Sequence, residues 1–155
     1  MDKKLLIGWK EWCALPELSI PAIKVKVDTG AKTSALHAHS IELVKKRGKP
    51  FVEFVVPALP KKYKIEQYCC VPFYDRRTII SSNGEKETRY VIMTEFEIAG
   101  RVIDIELTLT DRSELQFPML LGREALQQFA FINPGAKYCQ GKLSLRDAIK
   151  LYQEE

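Results

Sequence analysis

Turn-forming residues recur about every ten positions along this chain, and only short runs of alternating or β-branched residues lie between them. The breaks fall at Pro16, at Gly48-Lys49-Pro50, from Pro57 to Lys62, at Asn83-Gly84 and at Gly100. Runs of that length make strands rather than long helices, so the spacing predicts a mainly β fold, a barrel or a sandwich. Two helices are expected beside the strands. One follows Gly122, over about 123–129. The other begins behind Ser144, an N-cap candidate with Asp147 three residues on, and Leu145, Ala148, Ile149 and Tyr152 follow helical spacing within it. Nothing in the 155 residues reads as a linker, a repeat or a low-complexity tract, so a single domain over 1–155 is expected, with its core from about 6 to 145 and a terminal helix from about 144 to 153.

The chemistry is concentrated in residues 25–34, Val-Lys-Val-Asp-Thr-Gly-Ala-Lys-Thr-Ser. An alternating strand ends at Asp28, and the two residues after it suit a tight loop with a carboxylate at its tip. Asp28 supplies an acid-base group, Thr29 has a hydroxyl to hydrogen-bond back into the loop, and Gly30 allows a turn closed to residues with a Cβ. Asp, Thr and Gly are also ordinary turn residues, so the tripeptide alone reads equally as a solvated turn. A second segment agrees with the first. Residues 118–126, Pro-Met-Leu-Leu-Gly-Arg-Glu-Ala-Leu, read as a short apolar strand through Leu120 and Leu121 into Gly122, then a helix opening at Arg123 or Glu124. Between the two segments, runs 77–82 and 88–98 are strand-like and flank Asn83-Gly84, a strong short-range hairpin signal.

These segments resemble the retroviral-type aspartic proteases, the retropepsins, in the order Asp-Thr-Gly-Ala loop, flap hairpin, apolar-apolar-Gly-Arg segment. Longer phrases, 27–38, 108–113 and 117–123, resemble a bacterial and archaeal family labelled ATP-dependent zinc proteases, regarded as retropepsin-like and often found with an ATP-grasp ligase that adds glutamate to a ribosomal protein. The resemblance covers about residues 6–145. It implies a retropepsin-like closed β-barrel with a flap hairpin and one or two short helices. It also implies residue roles. Asp28, Thr29 and Gly30 would form the catalytic loop, with Thr29 bonding across a dimer axis to the partner loop. Ala31, Lys32, Ser82, Asn83 and Gly84 would lie against substrate, the last three near the flap tip. Ser34, Leu120, Leu121, Gly122 and Arg123 would support the loop.

Aspartic proteolysis needs two carboxylates that share one proton. The chain has one Asp-Thr-Gly, and Asp104 and Asp111 lack a comparable turn, so the expected active unit is a homodimer with Asp28 contributed by each subunit. Where viral enzymes place acidic residues after the loop, this chain has Lys32 and Thr33, so Arg123 would need another partner, such as Glu124. A lysine there favours an acidic ligand. The net charge of +4 and basic clusters at Lys45-Lys46-Arg47, Lys61-Lys62 and Arg76-Arg77 point the same way, although such runs are usually solvated faces. Taken with the glutamate ligase with which the resembled family is often found, this makes glutamate-rich peptide or protein substrates the expectation. Aromatic residues are not gathered among the basic ones, which argues against a nucleic-acid reader.

The words ATP and zinc find no motif here. G-x-x-x-x-G-K-[ST] and H-E-x-x-H are both absent, and the only histidines, His37 and His39, would share one face of a strand without an obvious third ligand. The expectation is no cofactor and no metal, with the histidines structural. Leu5-Leu6-Ile7 is too short for a signal-peptide core or a spanning helix. Cysteines at 13, 69, 70 and 139 lack the spacing of a disulfide framework, so reduced thiols and a cytoplasmic location are expected. Two other functions remain open from sequence: a catalytically quiet retropepsin fold that regulates a glutamate ligase or ribosomal protein, and a zinc-dependent peptidase.

Overall fold

The computed structural model describes residues 3–80, 83–112 and 116–154. Twelve strands and two α-helices are present among them: β1 (Leu5–Ile7), β2 (Lys10–Leu15), β3 (Ile20–Val27), β4 (Ser34–His37), β5 (His39–Lys46), β6 (Lys49–Val56), β7 (Gln67–Pro72), β8 (Asp75–Ile80), β9 (Lys86–Ile98), β10 (Arg101–Thr110), β11 (Met119–Leu121), α1 (Arg123–Phe129), β12 (Ala130–Ile132) and α2 (Leu145–Gln153). The protein is thus mainly β, with the two short helices expected from the sequence.

The main sheet has the order β10-β4-β11-β3-β2-β9-β8, and β9 also pairs with β10. The pairings therefore run round a circuit that returns to its start. The circuit is broad along β9–β10, where eight residue pairs face one another from Arg101↔Ile98 to Thr108↔Val91. It is narrow between β2 and β9, where Ala14↔Glu97 is the single pair. A separate antiparallel sheet, β5-β6-β7, lies between β4 and β8 in the chain. Its inward residues Val52, Phe54, Val56 and Cys69 join the same core as Ile23, Val25, Leu36, Leu107 and Leu121 of the main sheet. A second, smaller cluster forms where α2 packs on β3: Ala148 and Leu59 close over Ala22, and the Tyr152 hydroxyl donates to the Ala22 carbonyl at 2.6 Å.

Several turns match their sequence signals. Arg47-Gly48 and Ala99-Gly100 each carry two successive positive φ values, the backbone of the tight turns that fit twisted hairpins. Lys49 and Pro50 belong to β6 rather than to the turn before it, opposite Lys46 and Lys45. Ser144 caps α2 by accepting the Asp147 amide at 3.1 Å.

One feature escaped the hydrophobic pattern. Along β2 every second residue is buried, and the first of these is Glu11, fully covered beside Cys13 and Leu15. Its carboxylate accepts the amides of Gly8 and Cys139 at 2.7 Å each and of Gln140 at 3.1 Å. A buried carboxylate needs such partners. Here they fasten residues 139–140 to the N-terminal strands.

The β8–β9 hairpin is held at its base by charge. Arg77 on β8 makes a two-pronged contact with Glu106 on β10, both arms at 2.8 Å, and its Nε donates to Asp75 at 2.7 Å. Hydrogen bonds from Arg77 and, secondarily, Tyr74 hold Glu106 below the ordinary carboxylate range. Arg77 and then the Arg76 amide do the same for Asp75. Both groups therefore bind fewer protons folded than unfolded. The stability they add is present above the unfolded value of about 4 and is lost as pH falls through the depressed folded values. Amide exchange should show the hairpin loosening below about pH 4, with a weaker acid dependence in Glu106→Gln. Identical acid profiles in both proteins would contradict this role for the clamp.

Candidate active site

β3 and β11 run parallel and end together, Leu121 opposite Val27. The chain leaves β3 at Asp28, whose amide donates to the Leu121 carbonyl at 2.9 Å. The Asp28 Oδ1 accepts the Gly30 amide at 3.1 Å, and the Ala31 amide returns to the Asp28 carbonyl at 3.2 Å. Asp28 is half-buried, whereas Thr29 and Gly30 are exposed. Gly30 corrects one expectation: its φ is not positive, and a Cβ there would meet only Asp28 Oδ1, at 3.4 Å. The glycine is thus not forced by backbone conformation. It keeps the space beside the carboxylate open and supplies an N–H to it.

The far side of the loop is fixed by α1. The amides of Arg123 and Glu124 donate to the carbonyls of Ala31 and Lys32 at 2.8 and 3.1 Å. The first turn of a helix has amides with no partner inside the helix, and here the loop supplies the acceptors in place of a side-chain cap at Gly122. Arg123 also answers the question of its partner. Its Nη1 donates to the Thr29 carbonyl at 3.0 Å, so it holds the loop's backbone and not an acidic side chain.

Gly122 sits where no other residue fits. A Cβ built on it would lie 2.6 Å from the Thr33 carbonyl carbon and 2.9 Å from the Ser34 amide. The buried Ser34 hydroxyl accepts the Gly122 amide at 2.9 Å. Leu121 is buried in the core and Leu120 pairs with both Lys26 and Ala35. Asp28, Thr29, Gly30, Ala31, Lys32, Ser34, Leu121, Gly122 and Arg123 are therefore one hydrogen-bonded unit, with the Lys32 side chain exposed at its rim.

The hairpin reaches this unit through residues that sequence reasoning passed over. On β9, the Arg89 Nη1 donates to the Thr108 hydroxyl at 3.4 Å, and that hydroxyl donates to the Ser34 carbonyl at 3.1 Å. Nearby, the Thr110 hydroxyl donates to Glu87 at 3.1 Å. The signal was present: Thr108 and Thr110 alternate with Leu107 and Leu109 at the end of β10, and all four are buried. At the hairpin turn, Asn83 and Gly84 are exposed, Gly84 has a φ of +86°, and the Glu85 amide donates to Asn83 Oδ1 at 3.2 Å. Ser82 lies outside the described residues.

The histidines do not share a strand. His37 ends β4, Ala38 intervenes, and His39 begins β5. His37 Nδ1 accepts the Arg112 amide at 3.1 Å, while His39 Nε2 lies 2.7 Å from Glu66 and its Nδ1 2.9 Å from the Ser40 hydroxyl. Among the described residues the group close enough to gather round an ion is Glu17, Glu95 and Asp104, all exposed or half-exposed, and it contains neither histidine. The four cysteines are free thiols. Burial pushes Cys69 up to about 12 and Cys13 further still, so neither is poised as a nucleophile. No helix of the described residues is long and apolar enough to cross a membrane.

An Asp-Thr-Gly loop at the end of one strand, backed by a parallel strand whose glycine opens a helix, and joined to a hairpin on the next sheet edge, defines a retropepsin-like domain. Residues 6–143 match the family described as retropepsin-like aspartic endopeptidase RimB, and the chain belongs to this RimB-like family. A crystal structure of a protein of unknown function from Legionella pneumophila superposes with a TM-score of 0.72 at 26% identity, covering 87% of this chain and 97% of that one. The chain is 42% identical over 151 residues to a probable alpha-L-glutamate ligase of Shewanella pealeana, and 43% identical over 152 residues to one of Desulfotalea psychrophila. The matches cover 97% and 98% of this chain but 33% of each ligase, so the chain spans about a third of the length of these relatives.

The packing of Gly122 on Thr33 and Ser34 makes a direct prediction. Ser34→Ala leaves the buried Gly122 amide without its acceptor and should lower stability by about 1–3 kcal/mol. Gly122→Ala should do at least as much, since the added methyl meets main chain that has little room to move. Denaturant titration of both variants checks this, and unchanged midpoints would contradict it.

Proposed function

We propose that the chain is a homodimeric aspartic peptidase in which the Asp28 carboxylates of two subunits share one proton across a two-fold axis. One carboxylate takes a proton from a water molecule as its oxygen attacks the substrate carbonyl carbon, and the other protonates the carbonyl oxygen. Collapse of that intermediate breaks the C–N bond as the leaving nitrogen is protonated. The two acids titrate as a pair. The observation that carries this reading is the Asp28 loop itself, anchored to β11 on one side and to α1 on the other, with Thr29 and Gly30 exposed beside the carboxylate. Catalytic constellations require such rigid support, and Thr29 would bond to the partner's loop. Ala31 and Lys32 would contact substrate, and the β8–β9 hairpin, which turns at Asn83 and Gly84, would close over it, with Ser82 proposed as a further contact.

Acidic or glutamylated peptides are the proposed substrates, and no cofactor is required. Exposed Lys32 beside the carboxylate supports this, as do relatives named probable alpha-L-glutamate ligases, in which a glutamate-adding activity would share a polypeptide with this fold. The proposed setting is the cytoplasm. The same relatives favour one other reading, a catalytically quiet module that regulates a glutamate ligase.

Wild type and Asp28→Asn, each with and without EDTA, should be incubated with glutamate-rich peptides and a general peptide library, with cleavage read by mass spectrometry. The expected result is cleavage that survives EDTA and falls by about a thousand-fold or more in the variant. Loss with EDTA would favour a zinc-dependent peptidase, and cleavage by neither protein would favour the binding module.

A further inference from the structure

One cavity among the described residues, of about 560 Å³, does not have Asp28 in its lining. It opens between the outer face of β2–β3, the segment after β6, the segment after β10, and the first residue of α2. Its size falls in the range of sites for small molecules and short peptides, ~300–1,000 Å³. Pro57, Leu59, Pro118 and Leu145 give it apolar walls.

Its lining sets two lysines, Lys24 and Lys61, against two carboxylates, Glu66 and Asp111. The Trp12 Nε1 is buried and has no hydrogen-bond partner. Lys24 rests its Nζ 5.3 Å over the Trp12 ring, and neither Lys24 nor Lys61 forms an ion pair among the described residues. His37 Nδ1 lies 3.1 Å from the Arg112 amide and 3.3 Å from the Thr110 carbonyl. Of the two carboxylates in the lining, Glu66 is already bonded to His39, which leaves Asp111. Among the described residues Lys24 and Lys61 are thus cations without a carboxylate partner, and a ligand carboxylate would supply one.

We infer that this cavity is a second binding site, for glutamyl residues of an acidic peptide, with a carboxylate set between Lys24 and Lys61 and the methylenes against the proline and leucine walls. The inference rests on the acidic-substrate reading and extends it. Lys24 and Asp28 lie four residues apart in one chain direction, about 13 Å at strand rise, so an extended peptide would span from the cavity to the carboxylate in about four residues. The cavity would hold an acidic tail while the bond to be broken lies at Asp28. The segment after β10 contributes to its wall, and the Pro118 carbonyl accepts the His37 amide at 2.8 Å just ahead of β11.

The test uses Asp28→Asn protein, so that binding is measured without turnover, and reads the two tryptophan indole N–H signals by NMR. Trp9 is not part of the lining and serves as the internal control. Triglutamate should shift the Trp12 signal and leave that of Trp9 in place, and triglutamine should bind at least about tenfold more weakly. Lys24→Met should weaken triglutamate by about tenfold. Lys61→Met should weaken it as well, read by calorimetry. A static Trp12 signal at millimolar peptide, an equal response to triglutamine, or an equal response to inorganic phosphate would each overturn the inference. The two claims fail separately. Cleavage by wild type with no shift at Trp12 removes the cavity site alone, and a shift at Trp12 with no cleavage by wild type removes the peptidase alone.

Discussion

Gly122 lies against the main chain of Thr33 and Ser34 at a distance that leaves no room for a methyl group, and the rest of the site depends on that approach. Because the two segments touch, the Ser34 hydroxyl can accept the Gly122 amide, and the opening amides of α1 fall on the carbonyls of Ala31 and Lys32. Because α1 starts there, Arg123 reaches the Thr29 carbonyl. The loop that carries Asp28 is then held at Asp28, Thr29, Ala31 and Lys32 by main-chain acceptors or donors, while its tip stays open. A larger residue at 122 would separate the loop from the helix and break all of these contacts together.

The same crossing links the loop to the rest of the sheet. Ser34 gives its hydroxyl to Gly122 and its carbonyl to Thr108, and Thr108 in turn receives Arg89 from the hairpin strand β9. Four buried residues in succession at the end of β10 leave no solvent on either face, so its two threonines have to find protein partners. They find them in the hairpin and in β4. The hairpin is also clamped to β10 through Arg77 and Glu106. On the proposed reading, a cover over substrate and the loop that attacks it share one polar network.

Much of this was legible in the chain. Asp-Thr-Gly after an alternating strand, Leu-Leu-Gly-Arg before a helix and Asn-Gly between two strands each state a local geometry, and the strands, hairpin and both helices follow them. Ser144 and Asp147 announced the cap of α2 because that interaction is local. What the sequence withheld was non-local. The partner of Arg123 is the Thr29 carbonyl, and every residue has a carbonyl, so no residue type marks it. Glu11 occupies a core position in β2 that an apolar residue would normally fill, and its three amide partners become visible only once residues 139–140 are folded over it. Gly30 suggested a positive φ that the backbone does not use. The cavity beside Trp12 and Lys24 draws its walls from segments more than a hundred residues apart, and no pattern in any one of them marks it.

The central claim is that one copy of the Asp28 loop is half of a working site. Mixing wild type with Asp28→Asn at constant total protein, after the subunits have exchanged, tests it directly. If activity needs two Asp28 residues, an equal mixture retains about a quarter of the wild-type rate, because only dimers of two wild-type subunits are active. A rate of about a half would mean that each subunit works alone, and the account of a shared proton would be wrong.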